Sequence, residues 1–172
     1  MVRGPDMRAM WIRAGLLAGL LGTTGLKAAD RAPYAWLLGA WTGEGGGAEQ
    51  GAGGFSFTPE AGGQVIVRRN VADYPAQNGK PASRHEDFMV IESEGAAVTA
   101  RYWDSEGQTL HYALTAPQPG VAVFLSDDPA GPRFRLTYTR TAAGLNGSFE
   151  IAPPDHRDQF RPYLTWTAKK AR

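Results

Sequence analysis

The sequence predicts an all-β protein, a ten-stranded antiparallel up-and-down β-barrel with a short N-terminal helical turn. Three observations predict it. Beyond residue 30 no long 3.6-residue apolar period occurs, so no core helix is expected. Ten short strand-like runs alternate with clusters of Gly, Pro, Asn and Asp. Laid flat, a ten-strand sheet exposes two unpaired edges, which closure into a barrel removes. The length, 172 residues, suits one domain.

The elements follow in order. Residues 1–29 read as an export leader: Arg3, Arg8 and Arg13 come first, an apolar stretch runs from Ala14 to Leu26, and small residues allow cleavage near Ala28 or Ala29. The apolar run is short and glycine-rich for a membrane span of about 20 residues. The expected product is an exported domain, residues 30–172, in the periplasm or the medium. Losing the leader removes four of 18 basic residues and one of 17 acidic ones, turning a formal charge of +1 into about −2. No basic stripe remains, so nucleic acid is not an expected partner. With no cysteine there is neither a disulfide nor a Cys-ligated metal.

Pro33 opens the helical turn "PYAWLLG" and Gly39 stops it. The strands are "GAWTGEG", "GGFSFTP", "GQVIVRRNV", "RHEDFMVIES", "AAVTARYWD", "QTLHYALTA", "GVAVFLS", "PRFRLTYTRT", "GLNGSFEIA" and "FRPYLTWTAKK". In the first, Trp41 is expected to pack inside one end of the barrel under the helical plug. Its glycines let the strand bend close to neighbouring backbone. Turns such as "DSEG", "PQPG" and "TAAG" join the strands, and "ADYPAQNGKPAS" is the one wide connection.

Pairing across "DSEG" and "PQPG" predicts Trp103 opposite Gln108, Arg101 opposite Leu110, and Leu114 opposite Val123. Arg101, Trp103, Leu110, Tyr112, Leu114, Val121, Val123 and Leu125 then share the inner face. Phe134, Leu136 and Tyr138 continue it, as do Phe55 and Phe57. For the third strand, Val65, Val67 and Arg69 compete with Ile66 and Arg68. A cation on the inner face needs an internal acid, water or a ligand anion, because arginine stays charged. The expected ligand contacts are Arg101 and Arg69 for a polar end, and Phe55, Phe57, Trp103, Tyr112, Phe134 and Tyr138 for an apolar part. Apolar burial contributes roughly 25 cal/mol per Å². Gly39 and Trp41 are structural.

The segment "WLLGAWTGEG" resembles the start of the calycin superfamily, which includes lipocalins, fatty-acid-binding proteins and nitrobindin-like haem proteins. Gly39-Ala40-Trp41 matches the Gly-x-Trp of the first lipocalin strand. Lys169, Lys170 or Arg172 matches the basic residue that packs over that Trp. "LLGAWTGEG" and the ten strands are nearest the nitrobindin-like branch, and "ARYWDSEGQTLHY" with "RFRLTYT" resembles uncharacterised bacterial lipocalin-like proteins. The resemblance implies a small hydrophobic or amphiphilic ligand inside the barrel. Haem, the nitrobindin-like ligand, is an alternative without its late histidine: the final strand has Tyr163 and Trp166, and the one late histidine is His156 in "APPDHRDQ". No cofactor is expected.

Other constellations are weaker. His85, Asp87 and His111 form a conceivable metal trio, expected on the exterior. Asp155, His156 and Asp158 lack a nucleophile, since Ser126 and Ser148 are not tied to them by spacing. "GEGGG" lacks the Lys-Ser/Thr ending of a phosphate loop. Glu44, Glu86, Asp104 and Glu106 are candidate acids. Glu86, if inward, pairs with Arg101 or forms the acid centre of a barrel isomerase or hydrolase. A filled barrel acting through its outer face is the remaining alternative.

Overall fold

Ten strands alternate with tight turns, and each strand pairs with its neighbours in sequence until the last meets the first. The computed structural model describes residues 28–46, 51–77, 79–94 and 96–172. Residues 1–27 of the expected leader lie outside the described residues. A short helix, α1 (Ala28–Arg31), runs into a 3₁₀ turn (Ala32–Leu37). The strands are β1 (Gly39–Gly46), β2 (Ala52–Glu60), β3 (Val65–Tyr74), β4 (Ser83–Glu94), β5 (Ala97–Asp104), β6 (Thr109–Thr115), β7 (Val121–Ser126), β8 (Arg133–Arg140), β9 (Leu145–Ala152) and β10 (Arg161–Lys170). They form a closed antiparallel barrel in the order β1-β10-β9-β8-β7-β6-β5-β4-β3-β2. Every predicted strand run coincides with one of these elements.

The 3₁₀ turn plugs one end. Pro33 starts it, where a missing N–H costs nothing. Tyr34 and Leu37 are buried against the core, and the Tyr34 hydroxyl donates to the Leu114 carbonyl at 3.4 Å. Trp41 lies just inside, its indole N–H donating to the Leu37 carbonyl at 2.7 Å. The Lys170 ammonium sits 4.2 Å from the Trp41 ring centroid and donates to the Leu38 carbonyl. Gly39 makes this closure possible. Its φ is +105°, and a Cβ there would lie 2.8 Å from the Lys170 nitrogen. Heavy anchors stand beside glycine because the strand must turn sharply where the plug and the cation converge.

The core fills the barrel behind this plug with aromatic rings. Tyr138 is central: its ring lies 5.4 Å from Phe55, 5.6 Å from Phe57, 6.2 Å from Phe124 and 6.0 Å from Trp166, mostly edge to face. Met89, Ile91, Ile66 and Leu145 are fully buried in the same core.

The inner face differs from the expectation on two strands. Trp103 pairs with Thr109, not Gln108, and Arg101 pairs with His111, not Leu110. Leu114 pairs with Phe124, not Val123. Each is a one-residue slip, and a slip of one turns a whole strand over. The inner residues of β5 and β7 are therefore Ala100, Tyr102, Ala122 and Phe124. Those of β6 and β8 are Leu110, Tyr112, Leu114, Phe134, Leu136 and Tyr138, as predicted.

Candidate ligand site at the open end of the barrel

The end away from the plug is lined by two unlike walls. On β3 to β5 the inner positions are polar: Asn70, His85, Asp87, Tyr102 and Asp104. On β8 to β10 they are large and apolar: Phe134, Phe149 and Trp166, each partly exposed and packed against the core. Phe134 and Phe149 stack, with centroids 5.7 Å apart and planes 9° from parallel. Trp166 lies between Gly45 and Gly147 in the register. A Cβ on Gly147 would meet the indole at 2.1 Å, so the ring lies flat across that glycine. At the rim, Tyr163 is 66% exposed and 6.2 Å from Phe149, where the pairing of β9 and β10 shifts between Pro162 and Leu164.

The polar wall is organised by one buried ion pair. Arg68, 4% exposed, donates from Nη1 to Asp87 Oδ1 and from Nε to the Tyr138 hydroxyl at 2.9 Å. Asn70 donates to the other Asp87 oxygen at 2.9 Å, and His85 Nε2 lies 3.3 Å from it. His85 Nδ1 is 2.8 Å from Glu106 on the β5–β6 turn. The Tyr102 hydroxyl donates to Asp104 at 3.2 Å, and Asp104 accepts the backbone N–H groups of Glu106 and Gln108.

These contacts fix the charge states. Burial alone would lower Arg68 and raise Asp87; their mutual attraction overrides it, holding Arg68 above and Asp87 below its ordinary value. The hydrogen bond to Asp87, helped by Glu106, raises His85. Burial raises the phenols of Tyr102, Tyr112 and Tyr138, so all three stay protonated.

Several expected contacts lie elsewhere. Arg101 is on the outer face, its side chain 62% exposed and 3.8 Å from Glu92. Trp103 is 40% exposed and lies against Phe88, over which Arg69 also stacks at 5.3 Å. Arg101, Arg69 and Trp103 are thus corrected from inner to outer positions. The Arg101 and Trp103 error follows from the slip across "DSEG". The choice of Arg69 follows from taking the wrong parity on β3. Glu86 also points outward, to Arg84 at 2.8 Å, and does not meet Arg101. Phe55, Phe57, Tyr112 and Tyr138 face inward in the packed centre, and Phe134 at the open end.

The trio of His85, Asp87 and His111 is not assembled. His85 and Asp87 face inward, a correction to their expected exterior placement, while His111 points outward to Asp127. Among the described residues no group of three or more His, Cys, Asp or Glu side chains is arranged to hold a metal ion. His156 sits in an exposed 3₁₀ turn (Pro154–His156). Arg157 ties that connection to the carbonyls of Asp128, Pro129 and Gly131.

The sequence reading does not single out Asn70, offers Arg68 only as the competing parity of β3 and Asp87 only as a metal ligand, and leaves Phe149 and Trp166 out of the ligand contacts. One signal was available. Asp87 shares parity with Met89 and Ile91, the apolar side of β4, so an inward acid required an inward cation opposite. Two hollows lie away from this cluster. One, of about 520 Å³, lies against β1 and β8 to β10 and is lined by Glu44, Thr137, Thr139, Asn146, Gly147, Ser148, Thr165, Trp166 and Thr167. The other, of about 610 Å³, lies beside Tyr74, Pro75 and Arg84.

The fold and site define a closed ten-strand antiparallel barrel, plugged at one end, with an ion pair buried behind the other. No family model matches the chain, and a search of curated proteins finds no match.

Proposed function

We propose that this barrel is calycin-like and reversibly binds a small hydrophobic or amphiphilic molecule at its open end. The observation that carries the reading is the pair of unlike walls. Phe134, Phe149 and Trp166 are large, inward and only partly buried, and the polar cluster around Arg68 and Asp87 faces the same end. An apolar surface backed by a few fixed polar groups suits a ligand that must be both held and oriented. Trp41 under Lys170 supports the calycin reading, because it supplies the basic residue that the Gly-x-Trp resemblance calls for. The inner ligand contacts become Phe134, Phe149 and Trp166, with Tyr112 and Arg68 beneath them.

The barrel-enzyme alternative asks for a neutral buried acid. Asp87 is held ionised instead, so the ion pair favours orientation over proton transfer. The test is native mass spectrometry and tryptophan quenching with a panel of lipids and pigments, hemin included. Saturable quenching that weakens in Phe149→Ser supports the reading. A panel without any binder overturns it. The proposal includes export: N-terminal sequencing of protein from a bacterial periplasm should begin near Ala29 or Asp30, and recovery of the uncut chain in the cytoplasm would refute that part.

A further inference from the structure

We infer that the open end selects a neutral head group that accepts hydrogen bonds, and discriminates against carboxylates. This rests on the ligand-binding reading above and adds the chemistry of the head group.

The inference begins with the polar atoms that are left over. Arg68 uses Nη1 on Asp87 and Nε on Tyr138; its Nη2 carries no hydrogen bond among the described residues. The Tyr112 hydroxyl carries none either, although the residue is only 1% exposed. Yet among the described residues no fully buried side-chain nitrogen or oxygen lacks a partner. Both atoms therefore touch a gap that admits a water-sized sphere. That space lies within the barrel, since Arg68 and Tyr112 both point inward. Ala100, with only a methyl side chain, stands opposite Tyr112 in the register.

Both free groups offer protons. A guanidinium only donates, and a protonated phenol donates readily. Burial raises the Tyr112 phenol, which keeps it a donor through the physiological range. The complementary ligand atom is an acceptor, such as an amide, ester or alcohol oxygen.

Charge then decides between a neutral acceptor and an anion. Arg68 is already matched by Asp87. Asp104 stands opposite Asp87 on the next strand and also faces inward. Against the one guanidinium and the His85 imidazole the cluster thus holds three carboxylates, Asp87 on Arg68, Asp104 beside Asp87 in the register, and Glu106 beside His85. A ligand carboxylate reaching Arg68 would meet Asp87 at close range, and the repulsion offsets the attraction. Truncated to its hydrogen bonds, the site welcomes an oxygen and rejects its negative charge.

The experiment is a head-group series on the wild-type protein: dodecanamide, dodecanol, dodecanoate and dodecylamine, with affinities from titration at pH 7.5. Dodecanamide and dodecanol are expected to bind at least about tenfold more tightly than dodecanoate, and Tyr112→Phe to weaken dodecanamide by roughly five- to tenfold. Dodecanoate binding as tightly as the amide overturns the inference, and so does dodecylamine binding more tightly than either neutral probe. In both cases the ligand-binding reading survives. If none of the four binds, the head-group assignment fails, while the ligand-binding reading stands or falls with the wider panel of lipids and pigments. The series needs no variant, so a Tyr112→Phe protein that does not fold leaves the test intact.

Discussion

Arg68 shows how one side chain can organise a barrel interior. A guanidinium buried among Phe55, Tyr138 and Met89 is tolerated because its partner is built in: Asp87 on the next strand, itself braced by Asn70 and His85. Breaking such a pair is far costlier than removing it. Asp87→Asn should lower unfolding stability by about 3–5 kcal/mol, and the Arg68→Met/Asp87→Leu double variant by much less. Urea denaturation of the wild type and these variants, with Arg68→Met and Asp87→Leu made singly to close the cycle, measures this. Simple additivity of the two single losses would show that the pair is not coupled. The same cluster sets the pH profile. Asp87 is lowered on folding, so its contribution is present above 3.8 and is lost as pH falls through its lower folded value. His85 is raised, so its contribution is complete below 6.5 and is lost as pH rises through its folded value. The melting temperature should therefore peak between those limits and decline as pH rises above 6.5. His85→Gln should flatten the upper decline and leave the acid limb. An unchanged upper limb would mean that the Asp87 and Glu106 contacts do not hold the protonated imidazole.

The strands were legible because Gly, Pro, Asn and Asp mark their ends, and every run between those marks became a strand. The faces of β5 and β7 were not, because they depend on turn geometry rather than hydrophobicity. Between β5 and β6, Asp104 N–H donates to the Gln108 carbonyl and Gly107 N–H to the Asp104 carbonyl. The loop therefore has three residues, 105–107, with Gly107 at φ +86°. Taking all four residues of "DSEG" as the loop adds one residue and reverses Arg101 and Trp103. Between β6 and β7, Gly120 at φ +78° follows Pro119 in a turn closed from Val121 N–H to the Gln118 carbonyl, with the same result. Hydrophobicity could not correct this, since β5 carries a Trp on one face and a Tyr on the other. On β3 the adjacent arginines, Arg68 and Arg69, hid which parity was buried. Gly107 gives a clean test of the turn. No atom lies within 4 Å of a Cβ built there, so Gly107→Ala probes backbone strain alone. It should destabilise by about 1–2 kcal/mol, and Gly107→Asn by less, because Asn tolerates the left-handed region. Equal losses for Ala and Asn would argue that the loop refolds into another turn.

Closure of the barrel is what gives the open end its two walls. β10 completes the ring by pairing with β1 through Trp41–Lys170 to Gly46–Thr165, and with β9 on its other side. It also delivers two side chains that act at opposite ends: Lys170 over Trp41 at the plug, and Trp166 across Gly147 at the mouth. A single strand thus couples the base to the apolar wall, and without it β1 and β9 become free edges. Removing residues 161–172 should therefore do more than lose a fraction of the core. Two unpaired edges template association with other chains, so the truncated protein should elute as oligomers or aggregate. A milder variant separates closure from edge exposure. Lys170→Met keeps the β10 ladder, removes the cation from Trp41, and leaves the Leu38 carbonyl without its donor. It should keep the wild-type elution volume and lose about 1–2 kcal/mol, the scale of a partly desolvated cation–π contact and one hydrogen bond. Size-exclusion chromatography and thermal melts of the two proteins distinguish these outcomes. A truncated chain that stays monomeric and melts cooperatively would show that nine strands close on themselves and that β10 is an addition to the barrel.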